Sequence, residues 1–327
     1  MSDARREATV DVVVVSFNSR DHLRACVEPL AGLEDIQVIV VDNASTDGSL
    51  DAIAGLDVTS VQLDTNGGFA HGCNVGWRRG GGAFVLFLNP DSVMTPEAVR
   101  GLAATLERDD SIGAAAPRIL EADGSLAFSQ RRYPRPSITF SQGFFLHRLF
   151  PGAAWADDIV RDERSYARPG SAEWVSGACV LVRRSALDEL GGLDERFFMY
   201  CEDVDLCRRL HDRGYDVRYE PSVTLVHDGG GSAPRTSLLP VLAQSRVLYA
   251  QKHFGRATRT LERAGLALGA AAHVLASRGR GARRGHARAV AAVFSPGRDV
   301  RPEPLVRPGD VSRGARGLGE NGSAERE

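Results

Sequence analysis

Three carboxylates lie close together in the stretch FFMYCEDVDL at residues 197–206: Glu202, Asp203 and Asp205. They follow directly on a run of aromatic residues and a methionine, a setting in which unpaired acids are rare. A carboxylate with apolar neighbours has a raised pKa and can accept a proton from an attacking hydroxyl group. The stretch is therefore a candidate source of a general base.

Helical geometry separates these acids. In a helix that begins near Asp203, the residues three, four and seven positions further on share its face. For Asp203 these residues are Leu206, Cys207 and Leu210, whereas for Asp205 they are Arg208, Arg209 and Asp212. We therefore predict that Asp205 is solvated and that Asp203, at the positive end of a helix dipole, is the base. Glu202 would orient the acceptor or the base. The alternative is that Glu202 and Asp203 only cap the helix.

Apolar runs at residues 10–15 and 36–41 predict strands covered on both faces of a sheet, and residues 58–63 and 83–88 predict a third and a fourth strand. They alternate with helical patterns, which predicts a doubly wound α/β fold with a mostly parallel sheet and helices on both faces. Ligands bind beyond the carboxyl ends of the strands in such a sheet. The residues at these ends are Ser16, Phe17, Asn18, Asp42, Asn43, Asn66, Gly67, Phe69, Asn89 and Asp91. They either converge on one crevice or simply form turns and helix caps.

The chemistry of these strand ends suits a nucleotide. Asp42 could hydrogen-bond a base or a ribose, and Asp91 could hold a hard divalent cation against a diphosphate. The sequence has neither GxGxxG after the first strand nor GxxxxGK[ST], which disfavours a Rossmann dehydrogenase and a P-loop NTPase.

The rhythm of strands and helices changes after Pro117. Residues 129–171 predict a long loop region, and residues 171–182 predict a strand. Helices are predicted at residues 185–190, 204–213 and 236–254, with short strands at 217–219 and 223–226. Residues 256–295 predict a helical extension with apolar and basic character, and residues 296–327 predict a disordered tail.

The extension carries eight arginines between residues 256 and 288 and a single acid, Glu262. Two interpretations stay open: the segment lies on an anionic membrane surface, or it packs on the domain as an ordinary helix. Arg246 and Lys252, on the preceding helix, are candidate phosphate contacts or solvated charges.

The composition is that of an ordinary globular protein, with 43% hydrophobic residues and a formal net charge of −2. The charge argues against bulk nucleic-acid binding. Five cysteines without a CxxC pair, and a polar start without an apolar targeting core, predict a reduced, cytoplasmic protein. No apolar run reaches the roughly 20 residues of a membrane span.

Six ordered motifs resemble those of family-2 glycosyltransferases with the GT-A fold, most of all a rhamnosyltransferase-like branch acting on lipid-linked or polysaccharide acceptors. The motifs are VVVVSFNS, VVDNASTDGS, NGGFAHGCNVG, FLNPDS, WVSGACVLVRR and FFMYCEDVDLCRRL, and the resemblance covers roughly residues 10–255. It implies a GT-A domain over residues 1–255, with a nucleotide-sugar half at about 9–117 and an acceptor half at about 118–255.

The resemblance also implies residue roles. A donor pocket would be formed by Ser16, Phe17, Asn18, Asp42, Asn66, Gly67, Phe69 and Asn89. Asp91 matches the last acid of the family's Asp-x-Asp metal motif, whose first position is Asn89 here, and His227 matches a histidine that completes the metal site in several relatives. The implied cofactor is Mg²⁺ or Mn²⁺. Trp174, Ser176 and Gly177 look like the acceptor loop, although a tight strand crossing would need the same small residues.

The implied activity is that of an inverting hexosyltransferase in cell-envelope glycan synthesis. A dTDP- or UDP-linked sugar, rhamnose by resemblance, would be the donor, and the protein would work in the cytoplasm or on the inner face of the plasma membrane. Two alternatives stay open, a sugar nucleotidyltransferase and a non-catalytic nucleotide-sugar-binding protein. The missing acid at Asn89 motivates the second.

Overall fold

The protein is described by a computed structural model over residues 9–227, 235–277 and 279–295. The tail predicted to be disordered, residues 296–327, lies outside the described residues. The strands are β1 (Val10–Ser16), β2 (Ile36–Asp42), β3 (Thr59–Gln62), β4 (Phe84–Leu88), β5 (Ser92–Val93), β6 (Ile112–Glu121), β7 (Gln130–Arg131), β8 (Gly170–Ser171), β9 (Trp174–Val175), β10 (Cys179–Arg183) and β11 (Asp216–His227).

The helices surround these strands and continue beyond them. They are α1 (Arg20–Val27), α2 (Phe69–Trp77), α3 (Pro96–Glu107), α4 (Pro136–Gly143), α5 (Leu146–Leu149), α6 (Arg184–Leu190), α7 (Glu202–Asp212), α8 (Arg235–His253), α9 (Arg256–Ala276) and α10 (Arg280–Phe294). Short 3₁₀ turns occur at Glu28–Leu30, Leu50–Ile53 and Glu163–Tyr166.

One large sheet organises the fold, in the strand order β3-β2-β1-β4-β10-β6-β11-β5, with β8 also paired to β11. Strands β1 to β4 are mutually parallel, and β6 is parallel to β11. Strand β10 enters antiparallel between β4 and β6. The predicted α/β fold with a mostly parallel sheet is confirmed.

The continuous apolar run of β1 is explained by burial on both faces of the sheet. Val12 and Val14 belong to a core shared with α1 and α3. Val13 and Val15 belong to the core on the opposite face, shared with α2 and α7. The one acid in the run, Asp11, is buried and pairs with Arg184, and the other positions before Ser16 are apolar because both sides of the strand are covered.

The second half departs from the predicted elements in three places. The region 129–171 contains α4 and α5 as well as loops, and Pro136 begins α4 because proline suits a first helical turn. The strand predicted at 171–182 is divided into β9 and β10, and β9 pairs with β7 in a separate small sheet. The two strands predicted at 217–226 are one strand, β11, with a register shift between Glu220 and Thr224 where Pro221 cannot donate to the ladder.

Two differences concern the first half. Between β2 and β3 the expected alternation of strand and helix gives only a 3₁₀ turn, at Leu50–Ile53, with Gly48 and Gly55 at positive φ on either side of it. The motif NGGFAHGCNVG, for which no helix was predicted, contains α2, which begins directly after Gly68 at φ 90°.

The extension packs on the domain. Helices α8, α9 and α10 share a third apolar cluster that includes Val247, Ala267 and Val293. Helix α9 also crosses α4 closely, since a Cβ on Gly143 would lie 2.7 Å from the Cα of Gly269. Within the described ranges, no helix is both long enough and apolar enough to traverse a bilayer.

Candidate active site

Asn43 ties together the loops at the carboxyl ends of the first strands. Its main-chain N–H donates to the carbonyl of Ser16 at 2.7 Å. Its side-chain amide donates to the carbonyl of Gly68 at 3.0 Å and accepts from the N–H of Gly67 at 2.9 Å. The loops that carry Ser16, Asp42 and Asn66 therefore meet at one crevice. They are not independent turns, because Asn43 links them by hydrogen bonds.

Polar atoms without protein partners lie in this crevice. Ser16 and Asp42 are buried, and neither the Oγ of Ser16 nor the Oδ1 of Asp42 forms a hydrogen bond with any described residue. The other oxygen of Asp42 accepts from the N–H of Ser45 at 3.0 Å. Buried polar atoms normally have partners, so these two atoms fit a site that a ligand completes.

Asn18 closes the crevice from the β1 side. It adopts a left-handed φ of 53°, donates its N–H to the Oγ of Ser45 at 2.8 Å and accepts from the N–H of Thr46 at 2.9 Å. Asparagine tolerates this conformation better than most residues. Phe17, between Ser16 and Asn18, is half-buried.

Asp91 and His227 are brought together by the pairing of β5 with β11, in which Ser92 lies opposite His227. The Nε2 of His227 lies 3.2 Å from the Oδ1 of Asp91. No cluster of three or more His, Cys, Asp or Glu side chains that could hold a metal occurs among the described residues. Asp91 and His227 are thus a candidate pair of cation ligands, and the described residues add no third.

The aromatic run before α7 makes a sharp turn next to the loop that carries Gly68 and Phe69. Tyr200 and Cys201 both adopt left-handed φ, at 68° and 66°, which is strained for side chains of this size. The carbonyl of Phe198 accepts from the N–H of Phe69 at 2.7 Å, and a Cβ on Gly68 would lie 2.3 Å from that carbonyl oxygen. Gly68 is therefore required where the two segments touch, and α7 begins close to the crevice around Asn43.

Asp203 lies in the first turn of α7 with both carboxylate oxygens engaged. Oδ2 accepts from the N–H of Gly177 at 3.0 Å, and Oδ1 accepts from the N–H of Val204 at 2.8 Å. Burial raises the pKa of Asp203, while these two hydrogen bonds and the charge of Arg131 oppose the rise. Each oxygen keeps a further lone pair with which to accept a proton.

Glu202 differs from its neighbour. Its side chain is buried, and its Oε2 accepts no hydrogen bond from the described residues. Burial, followed by the negative charge of Asp203, raises the pKa of Glu202 well above its usual range. The two adjacent carboxyl groups therefore titrate as a pair, and both pKa values lie above their ordinary values.

The prediction that Asp205 is solvated is wrong. Asp205 is 0% exposed and accepts from Arg209 Nε, His253 Nε2 and Lys252 Nζ at 2.7, 2.7 and 3.0 Å. Burial alone would raise the pKa of Asp205, but the hydrogen bond from His253 and the charges of Arg209 and Lys252 lower it below the usual value. Helical phase described only α7 itself, and α8, distant in sequence, covers the face that carries Asp205.

The acceptor-loop candidates lie between the two sheets. The indole of Trp174 donates to the carbonyl of Arg132 at 2.8 Å, and the N–H of Ser176 donates to the carbonyl of Ser129 at 3.0 Å. The carbonyl of Ala178 accepts from the N–H of Asn89 at 2.9 Å, so this loop joins the end of β4 to the base candidate. The loop is a strand crossing that also lies against the candidate base.

The hypothesis that Arg246 and Lys252 contact phosphate is not supported, because both are bound within the protein. Arg246 pairs with Glu262 at 2.7 Å, and Lys252 pairs with Asp194 at 2.7 Å as well as with Asp205.

Arg131 on β7 is a site residue that the sequence reasoning missed. Its charge acts on Asp203, its guanidinium lies 5.8 Å from the ring centre of Trp174, and its nearest acid is Asp158 at 3.4 Å. The segment SQRRYPRP gave no periodic signal, so only the pairing of β7 with β9 reveals the position.

The amino-acid sequence of the chain is similar to those of known glycosyltransferases. The sequence pattern of glycosyl transferase family 2 matches residues 11–191. The chain is 32% identical over 262 residues to the N-acetylglucosaminyl-diphospho-decaprenol L-rhamnosyltransferase of Mycobacterium tuberculosis (strain ATCC 25618 / H37Rv), covering 75% of this chain and 85% of that protein. It is 27% identical over 233 residues to Rhamnosyltransferase WbbL of Escherichia coli (strain K12), covering 67% of this chain and 83% of the relative.

A solved structure shows the same architecture. The mannosyltransferase PcManGT from Pyrobaculum calidifontis, in complex with GDP-Man and Mn²⁺, aligns with a TM-score of 0.53 at 17% identity. The alignment covers 88% of this chain and 87% of that one. At this identity the likeness shows the fold alone, and it confirms the predicted GT-A fold.

Proposed function

The chain belongs to glycosyl transferase family 2, and from that premise we propose that it transfers rhamnose from a nucleoside-diphosphate sugar to a hydroxyl group of a lipid-linked acceptor in cell-envelope glycan synthesis. Family membership makes it an inverting hexosyltransferase and favours glycosyl transfer over nucleotidyl transfer. The observation that carries the proposal is the contact between Asp203 and the main chain of Gly177, which sets a partly buried base against a loop of small residues.

The proposed reaction is a single displacement. A hydroxyl group of the acceptor gives its proton to the carboxylate of Asp203 as its oxygen forms a bond to the anomeric carbon. The bond from that carbon to the diphosphate breaks, and the nucleoside diphosphate leaves with the electron pair. Glu202, next to the base in sequence, would orient the base or the acceptor hydroxyl group.

The donor side of the proposal rests on the crevice around Asn43. Ser16, Phe17, Asn18 and Asp42 would hold the base and ribose, and Asn66, Gly67, Phe69 and Asn89 would line the same pocket. The Oγ of Ser16 and the Oδ1 of Asp42 support this assignment, because they form no hydrogen bond with the described residues and a nucleotide would supply partners for them. A dTDP- or UDP-linked sugar is the proposed donor.

Asp91 and His227 would hold a divalent metal, Mg²⁺ or Mn²⁺. The fit rests on the Oδ1 of Asp91, which is buried and accepts no hydrogen bond from the described residues, and on an imidazole nitrogen 3.2 Å away. Carboxylate oxygen suits both cations, and the remaining positions would be filled by diphosphate oxygens and water. The cation, when bound, would stabilise the charge that develops on the leaving diphosphate.

The acceptor side is proposed from Trp174, Ser176 and Gly177 and from the relatives' names. The Mycobacterium tuberculosis protein is named for N-acetylglucosaminyl-diphospho-decaprenol, and both relatives are named rhamnosyltransferases. We propose a polyprenyl-diphosphate sugar as acceptor and the cytoplasmic face of the plasma membrane as the place of reaction. In this proposal, residues 9–117 would bind the nucleotide sugar, residues 118–255 would bind the acceptor, and residues 256–295 would form a helical extension.

The test measures release of nucleoside diphosphate from a panel of dTDP-, UDP- and GDP-linked sugars. The acceptor is a water-soluble, short-chain GlcNAc-diphospho-lipid, and the proteins are the wild type, Asp203→Asn and the control Asp212→Asn. We expect turnover with a rhamnose donor, a loss of about 10²–10⁴-fold in Asp203→Asn and no loss in the control. Pyrophosphate release would overturn glycosyl transfer, and donor binding without turnover would identify a binding protein.

A further inference from the structure

An apolar segment with unusual exposure links α4 to the loop that follows α5. Five large apolar side chains within residues 144–155 are exposed: Phe144, Leu146, Leu149, Phe150 and Trp155, with Leu149 at 72%. Single exposed apolar residues are ordinary on a protein surface, whereas a contiguous patch marks an interaction site.

Helix α9 continues this patch. Leu261, Leu268 and Leu275 are spaced by seven residues and are all exposed, Leu275 at 84%. Residues at this spacing lie on one side of a helix, with a drift of about 20° per step. The buried Gly265 and Gly269 beside them face α4.

Direct contacts join the two parts. The rings of Phe145 and His273 lie 4.3 Å apart, and Arg148 lines a surface depression together with Phe145, His273 and Ala276. We call the exposed side chains of residues 144–155 together with the three leucines of α9 the apolar face.

The surroundings of the apolar face are basic. Neither residues 135–156 nor residues 263–298 contain an aspartate or a glutamate. Arg148 lies within the face, and Arg280, Arg283 and Arg284 are exposed on the adjoining α10. The described acids that border these segments are paired: Asp157 with Arg161, Asp158 with Arg131, and Glu262, which is 0% exposed, with Arg246.

We propose that the apolar face docks on an anionic lipid bilayer. Aromatic and leucine side chains would enter the headgroup region, and the arginines would meet the negative surface. Charge favours this partner over a second copy of the chain, because two such faces would oppose their arginines without an acid to pair with them. A soluble polyanion could pair with the arginines, but it would leave the apolar side chains of the face exposed to water.

The apolar face is fixed to the acceptor side of the site. The N–H of Arg132 donates to the carbonyl of Asp158 at 2.7 Å, just after the apolar segment, and the carbonyl of Arg132 accepts from the indole of Trp174 at 2.8 Å. Docking would therefore set the acceptor loop near the bilayer. This reason for docking rests on the proposed lipid-linked acceptor, whereas the docking itself rests on the surface.

The test uses the full chain and vesicles of phosphatidylglycerol and phosphatidylcholine, compared with phosphatidylcholine alone. The variants are Leu149→Ser/Phe150→Ser/Trp155→Ser, Arg280→Gln/Arg284→Gln and the control Leu242→Ser, which removes an exposed leucine of α8 outside the apolar face. We expect the wild type and the control to co-sediment with anionic vesicles. The triple serine variant should bind at least about tenfold more weakly, and the arginine variant should lose its preference for anionic vesicles.

Equal vesicle binding by the wild type and the triple serine variant would overturn the proposal, as would absence of binding by a folded wild type. Sedimentation velocity tests whether a second copy of the chain covers the face instead. A wild type that is dimeric and does not bind vesicles, together with a monomeric triple serine variant, would assign the face to a second copy. All variants are also assayed with the water-soluble acceptor, on which the triple variant should remain active. If the wild type binds vesicles but releases no nucleoside diphosphate, the proposed function is wrong and the docking proposal still holds.

Discussion

The main-chain N–H of Gly177 donates a hydrogen bond to the Oδ2 of Asp203 at 3.0 Å, across 26 residues of sequence. The contact joins the loop proposed to receive the acceptor to the carboxylate proposed to deprotonate it. A Cβ added at Gly177 would lie 3.3 Å from the Cβ of Asp203 and 3.4 Å from its Oδ2. The loop and the base therefore cannot be adjusted independently.

Gly177→Ala tests this coupling. The methyl group would press Asp203 away by a few tenths of an ångström, and misplacement of a reacting group can lower kcat by about 10- to 100-fold. The thermal midpoint of unfolding should stay near that of the wild type, since neither Gly177 nor Asp203 belongs to a hydrophobic core cluster. Gly170→Ala is the matched control, because a Cβ there would contact nothing within 4 Å. An unchanged kcat in Gly177→Ala would show that the loop does not position the base.

Arg131→Gln tests how the charge of Asp203 is maintained. Asp203 acts as a base only when ionised, and the positive charge of Arg131 opposes the rise in its pKa that burial causes. Loss of that charge should raise the pKa of Asp203 further. The ascending limb of kcat/KM should therefore move to higher pH, with activity recovering toward the wild-type plateau.

The matched control for this profile is Arg135→Gln, which removes an exposed arginine paired with Glu173 at 2.8 Å. Its ascending limb should coincide with that of the wild type. A loss in Arg131→Gln that is equal at every pH would mean that Arg131 binds substrate and does not tune the base.

The alternation of apolar runs and polar strand ends was enough to predict the donor half of the fold. Each run of β1, β2 and β4 is buried on both faces, which makes the signal continuous and local. Asn43 shows the limit of that signal, because its role in joining the loops at Ser16 and Gly68 depends on two strands meeting in space. Sequence spacing indicated the crevice, and only the packed chain shows which atoms in it lack partners.

The acceptor half was harder to predict because its contacts are not periodic. Asp205 faces α8 from a position 47 residues earlier than Lys252, and no pattern within α7 reports that neighbour. Arg131 belongs to a two-residue strand, which is too short to show alternation. The helical spacing of α7 thus predicted the partial burial of Asp203 correctly, whereas it wrongly predicted that Asp205 is exposed to solvent.

Asp91→Asn and His227→Gln test the proposed cation site. Either change removes a ligand, so the Mn²⁺ or Mg²⁺ concentration for half-maximal activity should rise about 10- to 100-fold, and chelation should abolish wild-type activity reversibly. The control is Asp110→Asn, whose side chain is 98% exposed. Direct titration of the wild type with Mn²⁺ and a nucleoside diphosphate gives a second readout. Identical metal dependence in all four proteins would remove Asp91 and His227 from the site.

The last prediction concerns the stability supplied by Asp205. Removing its charge leaves Arg209 and His253 facing a neutral amide, while Lys252 keeps its contact with Asp194. Asp205→Asn should therefore lower the free energy of unfolding by about 3 kcal/mol, near the lower end for a broken buried ion pair. Asp212→Asn, which breaks the exposed pair with Arg208, should lower it by about 0.5 kcal/mol or less.

The pH dependence of that difference follows from the direction of the shift. The pKa of Asp205 in the folded state lies below its ordinary value of 3.8, so the carboxylate stabilises the fold fully above that pH. The contribution is lost as the pH falls through the folded-state pKa. Urea unfolding should thus give a constant difference between the wild type and Asp205→Asn above about pH 5, and a smaller one in acid. A difference that grew in acid would contradict the assignment of Asp205 as the charge that binds α7 to α8.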